Sequence, residues 1–145
     1  TLEVQMHKAI EKNLWLLGAQ YSLFSSNKTL ARQSEDYLDK KFTGQRSNDR
    51  PDLLLNENLD GAALLIEFKR PKHPLNFEDY QQATGYRHDL HKVMNKPIDV
   101  LVMGGKRSPD FPQKDLEPNV RVLSYLDVIA TARRQIEWQL RICFC

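Results

Sequence analysis

A chain of 145 residues, 41% hydrophobic and 28% charged, is long enough for one domain and too short for two. A net charge of +2 is too small for composition alone to point to nucleic acid or to an acidic partner, and no apolar run approaches the ~20 residues that span a bilayer. Cys143 and Cys145 have neither the number nor the spacing of a disulfide framework or a zinc site, so a reducing cytoplasm is the expected setting. The chain opens inside a periodic pattern and stops while its last helix is still amphipathic, so residues 1–145 read as a single domain excised from a longer protein.

Leu2, Met6, Ile10, Leu14 and Leu17 recur at helical spacing, with Gly18 as the stop signal. Tyr21 to Phe24 is short and apolar, and Ser25 to Lys28 is a polar break. Arg32 to Phe42 is expected to hold a strand around Tyr37 to Phe42, followed by a turn-rich stretch from Thr43 to Asn48. Lys40, Lys41, Arg46 and Arg50 make this region basic, which suits either phosphate contact or a solvated face.

The central stretch, Arg50 to Pro71, places two runs rich in Leu and Ile on either side of the polar segment Glu57-Asn58-Leu59-Asp60-Gly61, the pattern of an antiparallel hairpin. A turn centred between Leu59 and Asp60 sets Asn56 opposite Ala63, Leu54 opposite Leu65 and Asp52 opposite Glu67. Opposed residues have Cβ atoms roughly 5 Å apart and side chains alternate with period two, so Asp52, Glu67 and Lys69 are expected on one face at one end. The runs are otherwise apolar on both faces, which predicts central strands covered by helices. Two like charges in such a place call for a cation, and Mg²⁺ or Mn²⁺ with oxygen ligands is the usual answer. A purely stabilising ion pair of Lys69 with either carboxylate is the competing reading.

Beyond Pro71, Asn76 fits an N-cap with Asp79 at the third helical position and Leu75 and Tyr80 as a staple, opening a helix to about Lys92. Ala83, Tyr86, Leu90 and Val93 form its apolar stripe, and Gln82 is read on the same face, either orienting water or phosphate or capping buried backbone. His88 and His91 lack further ligands for a metal, and His7 and His73 are equally unsupported. Strands are predicted over Ile98 to Met103 and Val120 to Tyr125. Gly104-Gly105-Lys106-Arg107-Ser108 lacks phosphate-loop spacing and reads as a loop. Ser124 and Asp127 fit a capping box for a final helix whose buried stripe is Leu126, Ile129, Ile136 and Leu140. The order predicts an α/β fold, a mixed central β-sheet flanked by helices.

Pro51-Asp52, the interval to Glu67-Phe68-Lys69 and the following Arg70-Pro71 resemble the PD-(D/E)XK nuclease signature. Asn13-Leu14-Trp15-Leu16-Leu17 resembles the Asn-Pro-Trp-Leu-Leu-like element of the Shedu-type branch, with Leu14 where that branch commonly has proline. Gln82-Ala83-Thr84-Gly85-Tyr86 is similar to a Gln-x-x-x-Tyr motif of the superfamily. Together these motifs cover most of the chain. The resemblance implies a restriction-endonuclease-like αβββαβ core and a DNA endonuclease in a defence or restriction context. Asp52, Glu67 and the Phe68 backbone carbonyl would hold Mg²⁺ or Mn²⁺, with Glu3 from the first helix as an additional acid. Lys69 would orient or deprotonate the attacking water and Gln82 would position it, while Arg70, Lys72, Arg87 and Tyr86 would meet the nucleic acid. Expected partners are DNA, flanking domains of a longer chain and a second copy, with no membrane. The alternative is a non-catalytic nucleic-acid-binding or regulatory module of a larger, ATPase-containing protein, and a third is a scaffold without a nucleic-acid role.

Overall fold

The computed structural model describes residues 2–44, 50–112 and 116–143, with the side chains of Leu2, Glu3, Val4, Met6 and Leu54 outside the description. Among these residues one mixed sheet runs in the order β1 (Ser25–Ser26), β2 (Asp52–Glu57), β3 (Ala63–Phe68), β4 (Ile98–Gly104) and β5 (Val120–Ser124). The first three strands are antiparallel neighbours, whereas β3, β4 and β5 are parallel. Parallel neighbours need a crossover, which α3 (Phe77–Met94) provides between β3 and β4. The expected α/β class with helices on both faces is the architecture found.

One face carries Leu55, Ala63, Leu65, Val100, Val102, Val120 and Val122 beneath α2 (Lys28–Lys41) and α3. The other carries Leu64, Ile66, Leu101 and Met103 beneath α1 (Leu2–Lys12), a 3-10 segment over Leu14–Leu17 and α4 (Tyr125–Cys143). From Ala63 to Ile66 every side chain of β3 is fully buried, so it is the covered central strand that its unbroken apolar run predicts.

Several local expectations are corrected. The first helix stops at Lys12, and the apolar spacing continues through two 3-10 turns, Leu14–Leu17 and Ala19–Leu23, around Gly18 at φ 143°. The strand expected at Tyr37 to Phe42 is instead the end of α2. Asn27 caps this helix by accepting from the amides of Thr29 and Leu30, and Leu30, Ser34 and Leu38, four apart, face the sheet. The strand preference of Tyr37 and Phe42 yields to that cap and spacing.

The hairpin is displaced by one residue from the expected pairing: Asp52 lies opposite Phe68, Leu54 opposite Ile66 and Asn56 opposite Leu64. Its turn centres on Asp60 because the Asn58 side chain accepts from the amides of both Asp60 and Ala62, with Gly61 at φ 83°. A shift of one exchanges the faces of a strand.

Both predicted capping boxes form. Asn76 accepts from the Asp79 amide while Asp79 accepts from the Asn76 amide, and Ser124 and Asp127 reciprocate likewise. Asn76→Ala should lower stability by about 1 kcal/mol, readable in urea unfolding. The predicted stripe of α4 is not buried: Leu126, Ile129, Ile136 and Leu140 are 62%, 52%, 46% and 50% exposed. The inward residues are Val128 and Ala132, and one turn on Gln135 donates to the Trp15 carbonyl. The box at Ser124 fixes that rotation of the helix.

Candidate active site

At the end of the sheet where β3 and β4 finish, a cleft of about 1220 Å³ opens between the helices. Asp52, Phe68, Lys69, Arg70, Asp79, Gln82 and Tyr86 line it, together with His7, Lys41 and His73. Glu67 lies just beneath, completely buried.

Lys69 is fixed at its backbone. Its amide donates to the Met103 carbonyl at 2.7 Å, and its own carbonyl accepts the Tyr125 hydroxyl at 2.9 Å. With its main chain held, the side chain carries Nζ to 3.0 Å from Glu67 Oε1 and 3.6 Å from Asp79 Oδ1. Asp79 in turn pairs with His73 Nε2 at 2.9 Å. The chain can place His73 here because Gly105 packs against the turn that carries it. A Cβ on Gly105 would stand 2.5 Å from the Pro71 carbonyl oxygen and 2.7 Å from that of His73, and the Gly105 amide donates to the latter. The pair Gly104-Gly105 is thus a close-approach site between the end of β4 and the turn that borders the cleft.

Both Glu67 oxygens are buried without a hydrogen-bond partner, since the nearby ammonium supplies charge but not hydrogen-bond alignment. Burial pushes the Glu67 carboxyl above the ordinary glutamate range, the Lys69 ammonium pulls it partly back, and Asp79 pushes it up again. A buried carboxylate so incompletely satisfied by hydrogen bonds is suited to a hard cation.

Asp52 does not share a face with Glu67 as the expected pairing requires. The one-residue register puts it on the α1 face, 59% exposed at its side chain, with Oδ2 2.8 Å from His7 Nδ1. The His7 ring stacks on Phe68 at 4.1 Å between centroids, so this unpredicted histidine seats Asp52 against the strand end. Asp52 therefore lines the cleft from one face of the hairpin, whereas Glu67 is buried on the other face, behind Lys69. Among the described residues no three His, Cys, Asp or Glu side chains form a ready metal cluster. The Glu3 side chain lies outside the described residues.

The remaining candidates divide. Gln82 is exposed and lines the cleft, not the face turned to the sheet as expected, because Ala83, Tyr86 and Leu90 occupy that face. Tyr86 is a core residue with edge contacts to Tyr37 and Phe42. Arg70 is exposed at the rim and Lys72 is exposed on the next turn. Arg87 is held away from the cleft: its Nε donates to the Ile98 carbonyl at the opposite end of β4, and it pairs with Glu117. Arg50 is engaged by Glu35 and Asp39, and Lys41 by Asp89 at 3.2 Å. Arg46 lies outside the described residues.

His7, His73 and Asp79 are site residues that sequence patterns do not reveal as such. Asp79 is legible only as a helix cap, and the two histidines stand far in sequence or on another element from the groups they meet.

The chain matches no family model, no curated protein and no solved structure. Among the described residues no helix is long and apolar enough to cross a membrane.

Proposed function

We propose that this protein is a metal-dependent nuclease that hydrolyses phosphodiester bonds, with DNA as substrate. The observation that carries this reading is Glu67, fully buried, poorly satisfied by hydrogen bonds and 3.0 Å from the ammonium of Lys69, which itself lines a large cleft. A stabilising ion pair gains little from such a place, since desolvation consumes most of the attraction.

Glu67, Asp52 and the Phe68 carbonyl are the groups that would hold Mg²⁺ or Mn²⁺. When bound, the ion polarises a phosphoryl oxygen and acidifies a water. Lys69 donates to the attacking water and to the oxygens on which negative charge grows. The water oxygen bonds to phosphorus as its proton passes to solvent, one P–O ester bond breaks, and the leaving oxygen takes up a proton from solvent. Asp79, 3.6 Å from Nζ, holds the Lys69 ammonium together with Glu67, and His73 holds Asp79. Gln82 orients water or phosphate at the cleft wall, and Arg70 and Lys72 offer contacts to the strand, so affinity falls as salt rises. A restriction or phage-defence role in the cytoplasm follows from the family that the motifs resemble.

The placement of Asp52 and Glu67 on opposite strand faces favours a second reading, a nucleic-acid-binding module that reads phosphates without cutting. Supercoiled plasmid incubated with Mg²⁺ or Mn²⁺ distinguishes the two. Nicking that EDTA stops supports the nuclease. Salt-sensitive DNA binding with intact plasmid under every metal condition supports the module.

A further inference from the structure

Four of the six large exposed apolar residues of α4 share one face. Leu126, Ile129, Ile136 and Leu140 fall on one stripe, which Arg133 fills between them and the exposed Cys143 ends. Steps of three and four alternate through all six positions. That is the heptad seam of a coiled coil, with a single charged residue at an a position. Trp138 and Ile142, also exposed, lie off this seam and play no part here. The seam continues into an apolar groove of about 420 Å³ between α1 and α4, lined by Ala9, Ile10, Leu16 and Val128.

We propose that α4 is the seam of an antiparallel homodimer. The occupant is a second copy because the stripe is complementary to itself. Taken antiparallel about a two-fold axis, Leu126 meets Cys143, Ile129 meets Leu140 and Arg133 meets Ile136 of the partner copy, so every a position faces a d position. Glu137 follows Ile136 directly and lines the same groove as Arg133, so each Arg133 comes beside the Glu137 of the other copy, twice by symmetry. A parallel pairing would set Arg133 against Arg133 in an apolar layer, which its charge forbids. Arg133 thereby fixes the orientation of the pair. The seam spans roughly 26 Å of helix, and α4 is already held by its capping box and by Gln135, so pairing need not order it.

This inference is independent of the nuclease reading, and sedimentation velocity of the full chain tests it. The expected species has twice the mass of the 16.9 kDa chain. Arg133→Glu should weaken the dimer by about tenfold or more, and adding Glu137→Arg should restore it, because the exchanged charges again meet. Both are surface changes, so unchanged circular dichroism separates lost pairing from misfolding. Ile136→Lys should give monomer. In a Cys145→Ser background, Leu126→Cys should form a disulfide with Cys143 of the other copy under mild oxidation, whereas Cys143 alone should not self-link. A monomer at every concentration up to about 100 µM overturns the proposal. So does a dimer indifferent to Arg133→Glu and Ile136→Lys, or one joined through Cys143 to Cys143.

Discussion

Glu67→Ala and Lys69→Ala are each expected to reduce metal-dependent plasmid cleavage by about 10³-fold or more, while Arg87→Ala leaves the chemical step unchanged. The two removed groups act at one point. Without Glu67 the Lys69 ammonium loses its buried carboxylate, and without Lys69 that carboxylate keeps its burial but loses its nearest cation. Arg87 is the control, because its guanidinium is committed to Ile98 and Glu117 at the other end of the sheet. Asp79→Asn should fall between, at about 10–100-fold, since it keeps the shape and the cap acceptor but removes the charge 3.6 Å from Lys69 Nζ. Asp79→Glu retains a capping-box acid while moving its carboxylate. Loss in the Glu variant as well as the Asn variant, with unchanged melting, identifies positioning of Lys69 instead of helix stability as the cause. Single-turnover rates at saturating DNA and metal are the measurement, and wild-type rates in the Lys69→Ala protein would sink the mechanism.

Glu67→Gln should make the metal-free protein more stable at pH 8, raising the melting temperature by roughly 3 °C for each 1 kcal/mol gained. The sign follows from the raised Glu67 pKa, caused first by burial. Between the unfolded value near 4.5 and the higher folded value, the native protein holds a proton that the unfolded chain has released. The contribution of Glu67 to stability is therefore fully present below that lower value and is lost as pH rises through the folded pKa. Glutamine does not titrate, so the advantage of Glu67→Gln should be least at low pH, grow across the window and then level off. Melting curves of both proteins from acid to alkaline pH read this directly. Mn²⁺ should then raise the melting temperature of wild type at pH 8 and raise that of Glu67→Gln much less, because the variant keeps only Asp52 and the Phe68 carbonyl to hold the ion. A difference independent of pH would show that Glu67 ionises without cost.

Features settled by near neighbours in the chain are legible in the sequence. Asn76 with Asp79 and Ser124 with Asp127 each solve the problem of unpaired helix amides within four residues, and both boxes form. The unbroken apolar run of β3 likewise signals burial on both faces. Phase is what the sequence leaves open. Asn58, bonding both Asp60 and Ala62, moves the centre of the turn onto Asp60, and that alone carries Asp52 to the other face. In α4 the strongest periodic stripe, Leu126 to Leu140, has the spacing of a buried face yet lies exposed. A heptad seam and a core-facing stripe have nearly the same period, and only the rotation set by the Ser124 box tells them apart. The site residues His7 and Asp79 are hidden for another reason: His7 meets Asp52 across 45 positions, and Asp79 already has a sufficient role as a cap.

The two backbone anchors of Lys69 bear on how the cleft is completed during folding. The hairpin of β2 and β3 is a local structure, but the carbonyl of Lys69 is closed by a hydroxyl 56 residues later in the chain. Contacts of such sequence separation form slowly, because the loop they close must first be ordered. A nascent polypeptide released only as far as β4 therefore carries every proposed catalytic side chain yet lacks the Tyr125 clasp. On the nuclease reading, competence to cut DNA is in this way deferred until synthesis has passed the start of α4.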